Sequence, residues 1–174
     1  ILMKSDSTKN IKPGAGIVDC ANTAGTAGQV LVSTGANAVQ WVTKTASTTL
    51  MGSAFNIRRA NATYFNFGGT ADPVEGNVSI AMPNAGTLRR LYVKLNANAS
   101  ATAGVGYTFT VRKNGAATAV TFSIFGASNS GSDLVNSVAF AAGDVISIVA
   151  TPTATLPTDN IDVVWTAEYI TPLP

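Results

Sequence analysis

Histidine is absent from the 174 residues, and cysteine occurs once. Without an imidazole, Ser-His-Asp and Cys-His catalysis, His-based zinc sites and the usual proton shuttle near neutral pH are all excluded. The single thiol, Cys20, permits no disulfide within the chain and reads as a small apolar residue. Charge is scarce too: 11% of residues are charged, against about a quarter in an average soluble protein. Eleven basic and nine acidic side chains leave a net charge of +2, too little to grip a phosphate backbone, which needs several clustered contacts. Nucleic acid is therefore not an expected partner. Long apolar runs are missing as well. The most apolar stretch, 138–150, is cut by Gly143-Asp144, and the opening "ILMKSDSTKN" lacks the apolar core of an export signal, so no membrane insertion is expected. The chain opens on Ile, which reads as the start of a piece of a longer protein.

Carboxylates are the only remaining candidates for catalysis. Asp6, Asp19, Asp72, Glu75, Asp133, Asp144, Asp159, Asp162 and Glu168 lie mostly in turn-like settings, and nothing marks one of them as half of a general acid and base pair. Asp72, Glu75, Asp133 and Asp159 have the right ligand type for calcium but no calcium-loop spacing. "GTAGQVL" lacks the GK[ST] ending of a phosphate loop and opens no helix. The expectation is a protein that is not an enzyme and holds no metal and no cofactor.

What the chain does have is apolar residues, 46% of the total, enough for one domain and a modest extra segment. From Asn61 onward they alternate with period two, predicting strands over 63–67, 77–82, 87–96, 105–113, 118–125, 134–140, 144–150 and 161–169. Tyr107, Phe109 and Val111 share one face, as do Val120, Phe122 and Ile124, and as do Ile161, Val163, Trp165, Ala167 and Tyr169. Asn114-Gly115 supplies the positive φ angles of a tight hairpin. About eight antiparallel strands without a helix predict an all-β, two-sheet sandwich, of which a jelly roll is the most economical form. An immunoglobulin-like sandwich is the alternative, though its Cys-Trp-Cys core is absent.

If every connection reverses the chain, long and short loops fall at opposite ends. "GGTADPVEG", "ANASATAG", "GASNSGSD" and "TPTATLPTDN" then share one end, and "PNAG", "NG" and "AAG" the other. Asp72, Glu75, Asp133 and Asp159 predict an acidic long-loop end; Arg89, Arg90, Arg112 and Lys113 flank the short turns, either as solvated strand edges or as contacts with a neighbouring subunit. Loops on a rigid scaffold carry binding residues. Asn98, Asn129, Ser130, Asp133 and Asp159 are the candidate contacts, because they can hydrogen-bond hydroxyl groups. The long loops hold no Trp, Tyr or Phe on which a sugar could stack.

Residues 1–43 differ from the predicted domain at 63–174, with 44–62 read as a connecting segment. Short apolar patches recur there between turns, and a lone hairpin buries too little to be stable. Val30, Leu31, Val32, Val39 and Trp41 would need copies of the same segment from other chains to cover them, which makes 1–43 a stalk, or the end of one.

Gly25, Gly28, Gln29, Val30, Leu31, Ser33, Gly35 and Trp41 fit a pattern G-x-x-G-Q-V-L-x-S-x-G followed by Trp. It resembles a motif found in structural proteins of phages and large DNA viruses, just ahead of fibre-head domains. "YTFTVRKNGAATAVTFSI" followed by "FAAGDVISIVATPT" resembles the trimeric C1q/TNF-like jelly-roll heads of viral fibres and some bacterial surface proteins. The resemblance implies a homotrimer on the virion surface that attaches to a glycan or protein receptor of the host, and it brings no shared set of receptor contacts. The competing expectations are a purely structural cap or decoration protein and a non-catalytic carbohydrate-binding module.

Overall fold

The structure, a computed structural model, describes residues 21, 24–35, 38–58, 60–69, 71–154 and 161–173. Cys20 and Asp159 lie outside the described residues. The chain divides into two compact units, one of 1–46 with 172–174 and the other of 47–171. Both are built from antiparallel strands, as the alternation predicts.

In the first unit, β1 (Gln29–Gly35) and β2 (Ala38–Thr43) pair antiparallel, with Leu31 opposite Trp41 and Val30 opposite Val42. The motif residues have local structural causes. Gly28 and Gly35 take φ of 81° and 89°, the left-handed region that favours glycine. The Gln29 side chain accepts a bond from the Thr26 N–H at 2.8 Å. Gly25 lies directly under the Trp41 indole, where an added Cβ would collide with the ring.

The second unit holds two sheets. One has the order β3 (Thr45–Ile57), β11 (Ile161–Pro172), β6 (Gly86–Leu95), β9 (Ser130–Phe140). The other has the order β4 (Thr63–Phe65), β10 (Val145–Pro152), β7 (Gly106–Lys113), β8 (Ala116–Phe125), with the short β5 (Ile80–Ala81) also on β10. Their inward residues form one core. Leu88, Leu91, Val93, Leu95, Val163, Trp165 and Ala167 come from the first sheet; Phe65, Tyr107, Phe109, Val111, Ile124, Ile146 and Ile148 come from the second. Asn114 and Gly115, at φ of 51° and 79°, close the β7–β8 hairpin as expected.

Three expectations change. Residues 45–57 are a full strand rather than a connector. Its inward positions hold Gly52 and Ala54 while Met51 and Phe55 point outward, so the apolar alternation that marks a strand is inverted. Next, β4 and β5 pair with β10 in the same direction, Phe65 opposite Ile148 and Ile80 opposite Ile146. Residues 66–79 are therefore an excursion from one interrupted edge strand and do not reverse the chain. "GGTADPVEG" thus leaves the long-loop set. Finally, β9 begins at Ser130, so "GASNSGSD" shrinks to a short connection, 126–129.

With β3 as the first strand, the two ends still sort. Ala99 N–H bonds Ser128 O, Ser100 N–H bonds Gly126 O and Thr153 N–H bonds Gly106 O, which gathers 96–105, 126–129 and the start of the β10–β11 connection at one end. Met82 N–H to Asp144 O and Asn114 N–H to Val145 O gather the tight turns at the other. Ser47 meets Glu168 and Asn56 meets Asp162, so β3 runs against β11 and starts at the tight-turn end. Among the described residues the acids do not gather at the loop end: Glu75 sits on Arg112 near the Asn114-Gly115 turn, and Asp133 is inside a strand.

Candidate functional site

The expected contact residues part company. Asn98 is exposed on the 96–105 loop. Asn129 and Ser130 stand together beside β6: Lys94 Nζ donates to Asn129 Oδ1 at 2.7 Å, and Ser130 is opposite Lys94 in the ladder. Asp133 does not join them. It is 6% exposed, and its carboxylate accepts from Val135 N at 3.0 Å, Asn136 N at 2.9 Å, Thr121 N at 3.0 Å and Asn136 Nδ2 at 2.9 Å. Burial pushes this carboxyl up, but those N–H groups outweigh it and hold it below the usual range. Asp133 is a brace inside β9, and its hydrogen-bonding capacity is spent within the chain.

The brace shapes the surface around it. Arg89 pairs with Ser137 and Leu91 with Asp133, so residues 134–136 stand opposite Arg90 alone and bulge outward. Val135 is 90% exposed at the tip, with exposed Leu134 beside it. Such an apolar knob, held out by a buried carboxylate, is an unusual way to treat a sheet edge.

The outer face of the β3-β11-β6-β9 sheet is apolar where strand alternation would place polar residues. Met51, 66% exposed, Tyr92 and Val164 line a shallow hollow of about 790 Å³, with Ser53, Ser132 and Thr166 between them. A second hollow of about 520 Å³ adjoins it at the loop end, walled by Phe55 and Val164 and lined by Lys94, Asn96, Asn129 and Asp162. Sequence reading missed most of these. Their signal was present: Tyr92 and Val164 interrupt the polar register of β6 and β11, an anomaly visible once the inward set is fixed. In the first unit, Val30, Val32 and Val42 are exposed on one face of the hairpin, while Leu31, Val39 and Trp41 are half-buried.

The four basic residues that flank the short turns are paired within the chain. Arg89 Nε meets Glu168 Oε2 at 2.9 Å, and Arg90 Nη1 lies 3.4 Å from the same oxygen. The Arg89 hydrogen bond, helped by the Ser47 hydroxyl, holds the Glu168 carboxyl at about 2. Arg112 pairs with Glu75 and Lys113 with Asp144, each at 2.9 Å. Bonds from Asn114 Nδ2, the Ala141 N–H and Lys113 hold Asp144 at about 2. Carboxylates kept ionised in this way are poor general acids. Among the described residues no cluster of His, Cys, Asp and Glu could hold a metal ion, and no helix is long and apolar enough to cross a membrane.

No protein-family model matches the chain, and no curated protein is significantly similar to it.

Proposed function

We propose that the chain is the head and stalk end of a viral fibre, a jelly-roll homotrimer that attaches a virion to a glycan or protein on the host cell surface. The strand orders β3-β11-β6-β9 and β4-β10-β7-β8 suit a jelly roll, in which strands neighbouring in sequence are shared between two facing sheets. The observation that carries the reading is apolar surface left in water. The Met51, Tyr92 and Val164 face and the Leu134–Val135 knob lie on different elements of one unit, and a knob of one copy entering the hollow of the next makes a head-to-tail contact that closes into a ring. The hairpin adds Val30, Val32 and Val42, which a three-stranded stalk would cover.

In this reading the head is non-catalytic, and the end that gathers 96–105, 126–129 and 153–154 faces the host. Light scattering on the purified chain should give three times the monomer mass at micromolar concentration. Val135→Glu and Val164→Glu, both at exposed positions, should each shift the mass to that of the monomer while leaving the far-ultraviolet circular dichroism unchanged. A wild-type monomer overturns the trimer. A stable trimer that binds no host cell supports a capping role instead.

A further inference from the structure

The smaller hollow at the loop end of the sheet face has the composition of a sugar site. Its volume of about 520 Å³ falls within the usual range for small-ligand pockets. Phe55, 52% exposed and outside the contact proposed between copies, gives it an aromatic wall. Its polar side is already ordered. Lys94 Nζ is fixed on Asn129 Oδ1 at 2.7 Å, while the Asp162 carboxylate accepts from Asn56 N at 3.1 Å and Asn96 Nδ2 at 3.2 Å. Capacity remains on both sides of the hollow, because an ammonium has three N–H donors, an amide nitrogen two, and each carboxylate oxygen a second lone pair. Lys94 makes no ion pair with a described carboxylate, so its charge is not spent there.

Donors from β6 and the 126–129 connection on one side, the Phe55 ring of β3 on the other and the Asp162 carboxylate of β11 between them suit a ring with hydroxyl groups on its edge and C–H bonds on its face. A purely apolar ligand would strip water from Lys94 and Asp162 without replacing it. An anion would meet the Asp162 carboxylate. We propose that this hollow is a subsite for one neutral hexopyranose residue of a surface glycan, its C–H face on Phe55 and its hydroxyls held by Lys94, Asn129 and Asp162. The proposal rests on the attachment reading and gives it a ligand class. It also restores the aromatic platform that the loops lack, since Phe55 comes from β3.

Saturation-transfer NMR on the full chain tests it, with the methyl glycosides of galactose, glucose, mannose and N-acetylglucosamine and with sialyllactose as probes. At least one neutral glycoside should bind, and Phe55→Ala, Lys94→Met and Asp162→Asn should each weaken it roughly tenfold or more. Ser123→Ala, exposed on β8 of the other sheet, should leave it unchanged. Asp162 also braces Asn56 and Asn96, so the two side-chain truncations at Phe55 and Lys94 decide the matter if Asp162→Asn unfolds. No transfer from any neutral probe, binding of sialyllactose alone, or neutral binding that survives both Phe55→Ala and Lys94→Met overturns the site. Host-cell binding by the same variants separates the two readings. Cells bound equally by wild type and variants end the subsite but leave attachment standing, whereas glycoside binding lost in the variants of a chain that stays monomeric and binds no cell keeps the subsite and ends the fibre head.

Discussion

Asp133 shows how a single residue can change meaning between sequence and fold. In the sequence it closes "SNSGSD", a string that reads as an exposed loop, and a carboxylate there is a natural partner for hydroxyl groups. In the fold it is buried in β9 and accepts hydrogen bonds from Thr121, Val135 and Asn136. Truncating it would leave buried N–H groups without an acceptor, which costs far more than the net worth of the bonds themselves. Asp133→Ala should therefore destabilise the second unit by about 2–4 kcal/mol, read from urea denaturation. Asp133→Asn should recover little, because its amide nitrogen must take the place of an oxygen that faces donors. A receptor contact would behave in the opposite way, losing binding at unchanged stability. Gly25 makes the complementary case. Its place in the motif was legible, but the reason, contact with the Trp41 indole, needs the hairpin register.

At the level of elements, what could be read depended on where the apolar residues point. The alternation in β7, β8 and β11 matches the inward set closely, since Tyr107, Phe109, Val111, Val120, Ile124, Ile161, Val163, Trp165, Ala167 and Tyr169 are buried and Phe122 is half-buried against the core. β3 was illegible for the reverse reason. Its inward face needs small residues: a Cβ on Gly52 would lie 2.6 Å from Trp165 Nε1 and 2.7 Å from the Phe67 Cα. Gly52→Ala should accordingly push β3 off the sheet and cost about 1–3 kcal/mol. Ser53→Ala, at the neighbouring outward position, should be nearly neutral in the same thermal melts. Equal effects would mean that β3 is not seated as described. The second hollow was hidden by the same inversion, because Phe55 belongs to a strand that did not read as one. β4 and β5 failed differently. Two short pieces on one edge of β10 carry the same signals as two strands joined by a loop, and only the pairing direction tells them apart.

Charge operates across the whole molecule, and the scarcity of titratable groups makes its effect simple to state. Glu168 ties together β3 through Ser47 and β6 through Arg89 and Arg90; Asp144 ties the β9–β10 turn to Lys113 and Asn114. Their carboxyls fall from 4.5 and 3.8 to about 2 on folding. Asp72, held down first by the Val74 N–H, and Glu75, where the Arg112 and Ser147 bonds outweigh the upward push of burial, shift the same way. A carboxyl whose folded value is depressed leaves the unfolded chain holding more protons below about pH 4.5, so its contribution is complete above that pH and is lost as the pH falls toward 2. With no histidine in the chain, no imidazole titrates between pH 5 and 8. The melting temperature should be flat across that interval and should fall steeply between about pH 4.5 and 2. Glu168→Gln supplies the internal check. It should lower the melting temperature at pH 7 and converge on the wild type as the pH approaches 2, and added salt should shrink the pH 7 difference because the cluster is open to solvent. A difference that persists undiminished at pH 2 would mean that Glu168 acts through packing rather than through its charge, and that the acid sensitivity of the second unit arises elsewhere.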